Sequence, residues 1–106
     1  MEWIKIFGSD AEAKTRVPDN STQLLIIGGK RVCLARHNDE FYAVQDRCTH
    51  NGESLSKGKI NFAGEVICPW HGYRFDLRSG RACDSSSDDL ETYPIKADNT
   101  GFFIGF

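Results

Sequence analysis

No stretch of this chain stays apolar long enough to cross a bilayer, and Met1 to Asp10 alternates apolar with charged residues where a leader would open on a basic run. Those two absences argue against a membrane anchor and predict a soluble, cytoplasmic protein. An excess of charge of one sign is also missing. The net charge of −2 offers no broad electrostatic grip on nucleic acid or an anionic membrane, which leaves proteins as the expected partners. No glycine-rich nucleotide fingerprint is present, and no window carries apolar residues at i, i+3, i+4 and i+7.

What is present is a succession of short apolar runs punctuated by turn residues, the pattern of an all-β chain, and 106 residues suit one domain over 1–106. Trp3 to Phe7 reads as a half-buried strand. Gln23 to Ile27 and Arg31 to Arg36 flank Gly28-Gly29-Lys30 as a hairpin, and His37 to Glu40 turns the chain into Phe41 to Gln45. These strands are expected to form one continuous meander. Lys59 to Asn61 and Glu65 to Ile67 bracket Phe62-Ala63-Gly64 as a second hairpin, and Tyr73 to Leu77 resumes as strand. Glu91 to Lys96 and Phe102 to Phe106 complete the set around Asp98 to Gly101. Only Ala11 to Arg16 has helical character, and it is expected to be a short turn at best.

The chemistry is concentrated in two short arms, Cys48-Thr49-His50 and Cys68-Pro69-Trp70-His71, separated by seventeen residues. Random shuffling of this composition would produce such a pair in about one chain in ten to twenty thousand. Equal numbers of strongly donating thiolates and weaker imidazoles suit a cluster whose two metals are electronically unequal. Zinc is the rival occupant, since two cysteines and two histidines are a familiar tetrahedral set. Spacing counts against it, because zinc arms usually pair like ligands and each arm here mixes one of each. The arms lie in a polar, loop-rich stretch that reads as functional rather than as a linker.

With Gly72, Phe75 and Asp76 following the second arm, the pattern resembles the Rieske iron-sulfur family over the whole chain in length and strand order. The resemblance implies an antiparallel β-sandwich or barrel, with a small cluster-binding β-subdomain at about 46–83 built from the two ligand loops. It also implies one [2Fe-2S] cluster per chain, with Cys48 and Cys68 on one iron and His50 and His71 on the other. The implied role is a soluble ferredoxin that is not itself an enzyme, passing single electrons from a flavin-dependent NAD(P)H reductase to a terminal oxygenase. A small subunit of assimilatory nitrite reductase, bound to its large subunit, and a redox sensor that regulates a partner are the alternatives. An oxygenase proper needs a further iron held by two histidines and a carboxylate, and only His37 remains once the cluster has its ligands.

Departures from respiratory members of the family are informative. Where those carry a bridging cysteine in each loop, this chain has Glu53 and Trp70, so no bridge forms there. Where those place hydroxyls near the cluster sulfurs, Tyr73 and Phe75 stand, and Phe75 has none. Lost hydrogen bonds to sulfur lower the potential, which is expected toward the low end of the roughly −150 to +300 mV Rieske range. The proline-containing loop that usually covers the cluster corresponds to Arg81 to Leu90, which lacks proline, so Ser85, Ser86, Ser87, Asp88 and Asp89 are expected to cover by hydrogen bonding or to lie as a solvated acidic loop. Cys33 is expected to be a buried structural thiol and Cys83 to be partly exposed. His37 is expected to be solvated, Lys57 and Lys59 to be surface charges, and Trp3, Phe7, Phe41, Tyr42, Phe62, Tyr93, Phe102 and Phe103 to lie in the core or on strand surfaces.

Overall fold

The computed structural model describes residues 1–83 and 88–106. Among them are ten short strands, one α-helix and one 3-10 turn: β1 Trp3–Phe7, α1 Asp10–Arg16, β2 Ser21–Ile27, β3 Lys30–His37, β4 Glu40–Gln45, the turn Leu55–Lys57, β5 Lys59–Ile60, β6 Glu65–Ile67, β7 Arg74–Asp76, β8 Thr92–Tyr93, β9 Ile95–Asp98 and β10 Gly101–Gly105. The strands form three antiparallel sheets of order β1-β10-β9, β2-β3-β4-β8 and β5-β6-β7. No helix among the described residues is long and apolar enough to cross a membrane.

The β2-β3 and β3-β4 hairpins follow from their turn residues. Gly28 and Gly29 have φ of 57° and 81°, and Asn38 and Asp39 have φ of 51° and 68°, the paired left-handed conformations that match the twist of the flanking strands. The meander is shorter than expected, because β1 leaves it to pair with β10 in another sheet. Between β1 and β2 lies a true helix rather than a bare turn. Ser9 Oγ caps it by accepting the Glu12 N–H, and the Arg36 guanidinium donates to the Lys14 and Val17 carbonyls at its far end. Ala13 and Val17 are fully buried. Seven residues are too few for an isolated helix, so packing and caps hold it.

The last expected hairpin is also divided. Pro94 has no N–H to give a ladder, and at that residue the chain changes sheets: β8 pairs with β4, whereas β9 pairs with β10. Strand alternation along β3 then sets two cores. Val32 and Leu34 pack with Phe7, Ala13, Val17, Phe102 and Ile104, while Cys33 and Ala35 face Val44, Leu55, Val66, Phe75 and Leu77.

Two side chains depart from expectation. His37 is buried, because β3 runs on through it and its Nδ1 bonds Asn20 Oδ1 at 2.7 Å. Phe62 is 94% exposed at the β5-β6 turn, where the tight bend leaves its ring no facing strand.

Gly58 marks the closest approach of the 3-10 turn to β6, since a Cβ there would lie 1.9 Å from the Ile67 carbonyl oxygen. Gly58→Ala is expected to cost about 1–3 kcal/mol through this overpacking, seen as a lower urea midpoint with an unchanged m-value.

Candidate metal centre

The first arm begins where β4 ends. Asp46 is fully buried, with Oδ1 accepting the Ser56 N–H at 2.8 Å and Oδ2 accepting Ser54 Oγ at 2.5 Å and Arg31 Nη2 at 3.2 Å. Its backbone bonds Arg31 and Leu55. Burial pushes this carboxyl up, but the bonds from Ser54, Ser56 and Arg31 outweigh it and hold the group below the usual carboxylate value. From that anchor the loop closes on itself: the Cys48 N–H donates to the Glu53 carbonyl and the Gly52 N–H to the Cys48 carbonyl, each at 2.8 Å.

The second arm is the β6-β7 connection, closed by the Cys68 N–H on the Tyr73 carbonyl at 2.7 Å. His71 and Gly72 both have left-handed φ, 73° and 71°, which is unusual for a non-glycine residue and concentrates backbone strain at a candidate ligand. Asn51 joins the arms, its Nδ2 donating to the Trp70 carbonyl at 3.2 Å.

Both thiols are buried in the core that contains Cys33 and Val44, and both imidazoles are exposed. Burial, the largest influence on it, pushes the Cys68 thiol up. The His50 ring lies 3.9 Å from that of Tyr73, and His71 stacks on Trp70 at 5.0 Å. Trp70 is itself 56% exposed, whereas Phe75 is fully buried and offers no hydroxyl. Among the described residues no three Cys, His, Asp or Glu side chains gather as a single-ion cage. A binuclear cluster asks for only two protein donors per metal, so two buried thiols and two surface imidazoles fit it better than they fit zinc.

The third loop meets the first arm through Thr49 Oγ1, which donates to the Asp88 carbonyl at 2.5 Å, and Asp89 Oδ1 accepts the Ala82 N–H at 3.0 Å. The first of these bonds is to a backbone carbonyl, and the second is made by a carboxylate within the loop itself. The expected contribution of Ser85, Ser86 and Ser87 lies outside the described residues. Lys57 and Lys59 are exposed.

All four cysteines are free. Cys33 is buried, and desolvation, with the Asp46 carboxylate adding to it, pushes its thiol far up. Cys83 is exposed but bonds Glu65 Oε2 at 2.9 Å. Partial desolvation and that carboxylate raise its pKa to about 11. Asp46 and Asn51 are the two site residues that motif reading misses. An acidic residue two positions before Cys48, with serines at 54 and 56 beyond the arm, is the available signal for the first. Nothing in the sequence alone marks the second.

The profile described as the Rieske [2Fe-2S] domain matches residues 9–94. The ferredoxin subunit of 3-phenylpropionate/cinnamic acid dioxygenase from Shigella boydii serotype 4 (strain Sb227) is 38% identical over 74 residues, 69% of this chain and 70% of that one. The ferredoxin component of the naphthalene 1,2-dioxygenase/salicylate 5-hydroxylase systems of Ralstonia sp is 33% identical over 100 residues, 93% and 90% of the two chains. A solved complex of reduced oxygenase and oxidized ferredoxin in carbazole 1,9a-dioxygenase contains a chain that superposes with a TM-score of 0.80 at 23% identity, covering 97% of this chain and 92% of that one. That last likeness bears on the fold.

Asp46→Ala is expected to cost about 2 kcal/mol at neutral pH, because it removes the acceptor shared by Ser54, the Ser56 N–H and the partly exposed Arg31. The folded-state value lies below the unfolded one of about 3.9, so this stability is present above the unfolded value and is lost as pH falls through the folded one. Urea midpoints of wild type and variant should therefore converge on acidification below about pH 4; a gap that stays constant there contradicts the assignment. For Cys83, Glu65→Gln removes the charge that raises the thiol. Alkylation at mildly alkaline pH, followed by mass spectrometry, should be slow in wild type and several-fold faster in the variant.

Proposed function

The chain belongs to the Rieske [2Fe-2S] domain family, and on that footing we propose that it is the ferredoxin component of an aromatic-ring dioxygenase system, taking electrons from a flavin-dependent NAD(P)H reductase and passing them to a terminal oxygenase in the cytoplasm. The family holds one [2Fe-2S] cluster per domain. Residues 1–106 form a single domain in this reading, with 46–83 as the cluster-binding subdomain. Cys48 and Cys68 bind one iron, and His50 and His71 the other. When bound, the cluster supplies one electron reversibly at a potential low for the family.

The observation that carries the reading is the division of the four donors. Cys48 and Cys68 are 2% and 1% exposed, so the protein shields its thiols from water, while His50 and His71 stand at the surface where a partner can approach. Pro69 and Trp70 flank His71 and are exposed too, which gives that face apolar area to bury against a partner. Named relatives that are ferredoxin components of dioxygenase systems favour this role over a nitrite reductase subunit. The solved oxygenase–ferredoxin complex of similar fold supports the oxygenase as the electron acceptor. The electron leaves through a partner, so the chain acts as a carrier and does no catalysis of its own.

The purified protein is expected to contain two irons and two sulfides per chain, and dithionite should bleach its visible absorption and produce an EPR signal. Replacing Cys48 or Cys68 with Ser, or His50 or His71 with Ala, should abolish that spectrum, with far-ultraviolet circular dichroism showing whether the sheets persist. A colourless, zinc-loaded wild type sinks the proposal.

A further inference from the structure

No covalent bond joins the two arms, since Cys33, Cys48, Cys68 and Cys83 are all free. Beside the His50–Tyr73 ring contact, the hydrogen bonds that span them among the described residues come from one amide. Asn51 Nδ2 donates across to the Trp70 carbonyl at 3.2 Å, and Oδ1 accepts the Glu53 N–H at 3.0 Å within the first arm. The same oxygen stands 3.6 Å from Cys68 Sγ.

These partners decide which end of the amide is which. Turned over, it would set its NH2 against the Glu53 N–H and its oxygen against the Trp70 carbonyl, two repulsive contacts in place of two bonds. The oxygen is therefore held at the Cys68 sulfur. A thiol there can donate its hydrogen to Oδ1, but a metal-bound thiolate has none to give, and the negative end of the dipole then faces the sulfur without compensation.

We propose that Asn51 is a positioning residue with two effects: it clamps the two ligand arms together, and it aims its carbonyl dipole at Cys68 so that added negative charge at the site is disfavoured. The proposal rests on Cys68 being a cluster ligand. Its second effect is opposite in sign to that of an N–H donor, which stabilises the more negative, reduced form. The amide thus tightens the site and lowers its potential at once.

The test compares loaded wild type, Asn51→Ala and Asn51→Asp by cluster loss in the presence of an iron chelator and by midpoint potential, with circular dichroism as the folding control. Asn51→Ala should lose its cluster about tenfold faster, as the loss of two ordinary hydrogen bonds implies. Its potential should rise, because the dipole is gone. The isosteric Asn51→Asp keeps an acceptor for the Glu53 N–H but repels the Trp70 carbonyl; its cluster should also be lost faster, and its potential should fall below wild type. Opposite movement of the two potentials is not expected of a merely structural residue. Potentials that stay put or move together, or wild-type lifetimes in both variants, overturn the proposal. If Asn51→Ala holds its cluster too briefly to titrate, Asn51→Asp decides, and a potential at or above wild type overturns it. A wild type without a [2Fe-2S] spectrum overturns the ligand assignment instead, before either variant is measured.

Discussion

Asp46 carries a charge out of water at the point where the base sheet becomes the first ligand arm, and its need for donors organises that junction. A carboxylate with no exposed surface is tolerated only when its oxygens are occupied. The occupants come from Arg31 on β3, the Ser54 hydroxyl and the Ser56 N–H of the turn that follows the arm. Satisfying one side chain therefore draws together the sheet and both ends of the 46–56 segment. Leu55 is seated by the same arrangement, fully buried beside Val44 and the two candidate thiols.

β3 performs the complementary task on the apolar side. It is buried on both faces, with alternate residues in the two cores, so the helix and terminal strands pack on one side of it and the ligand arms on the other. Arg36, at the end of this strand, caps α1 by its two carbonyls. The short helix and the arms are thus referred to a common strand, and neither needs to be stable alone.

Local chemistry was legible in the sequence and long-range pairing was not. Two-residue turns at Gly28-Gly29 and Asn38-Asp39 can be read directly because left-handed backbone restricts residue choice. The partner of β1 cannot, since alternation says which face is buried without saying which strand lies alongside. Pro94 illustrates the same limit: its missing N–H signals a break, but only the assembled sheets show that the break is a change of sheet. The burial of His37 is hidden for the same reason, since a polar turn sequence does not reveal the Asn20 oxygen that comes to meet it from seventeen residues away. At the site, the four donors announce themselves by spacing, whereas Asn51 is an ordinary loop residue until the second arm is folded against it.

The division between buried sulfur and exposed imidazole explains why the arms are fastened with neutral bonds. An unmatched charged side chain beside the cluster would add a fixed charge whose field is weakly screened in the dry interior and would bear directly on the energy of adding an electron. Asn51 and Thr49 tie the first arm to its neighbours without net charge, and the fully charged anchor, Asp46, is matched by Arg31. Dipoles remain as the means of adjustment, and their direction then matters: a backbone N–H and a side-chain oxygen near the same sulfur push the potential in opposite senses. A site held this way can be retuned by changing one polar residue in a loop while the sheets beneath it stay as they are.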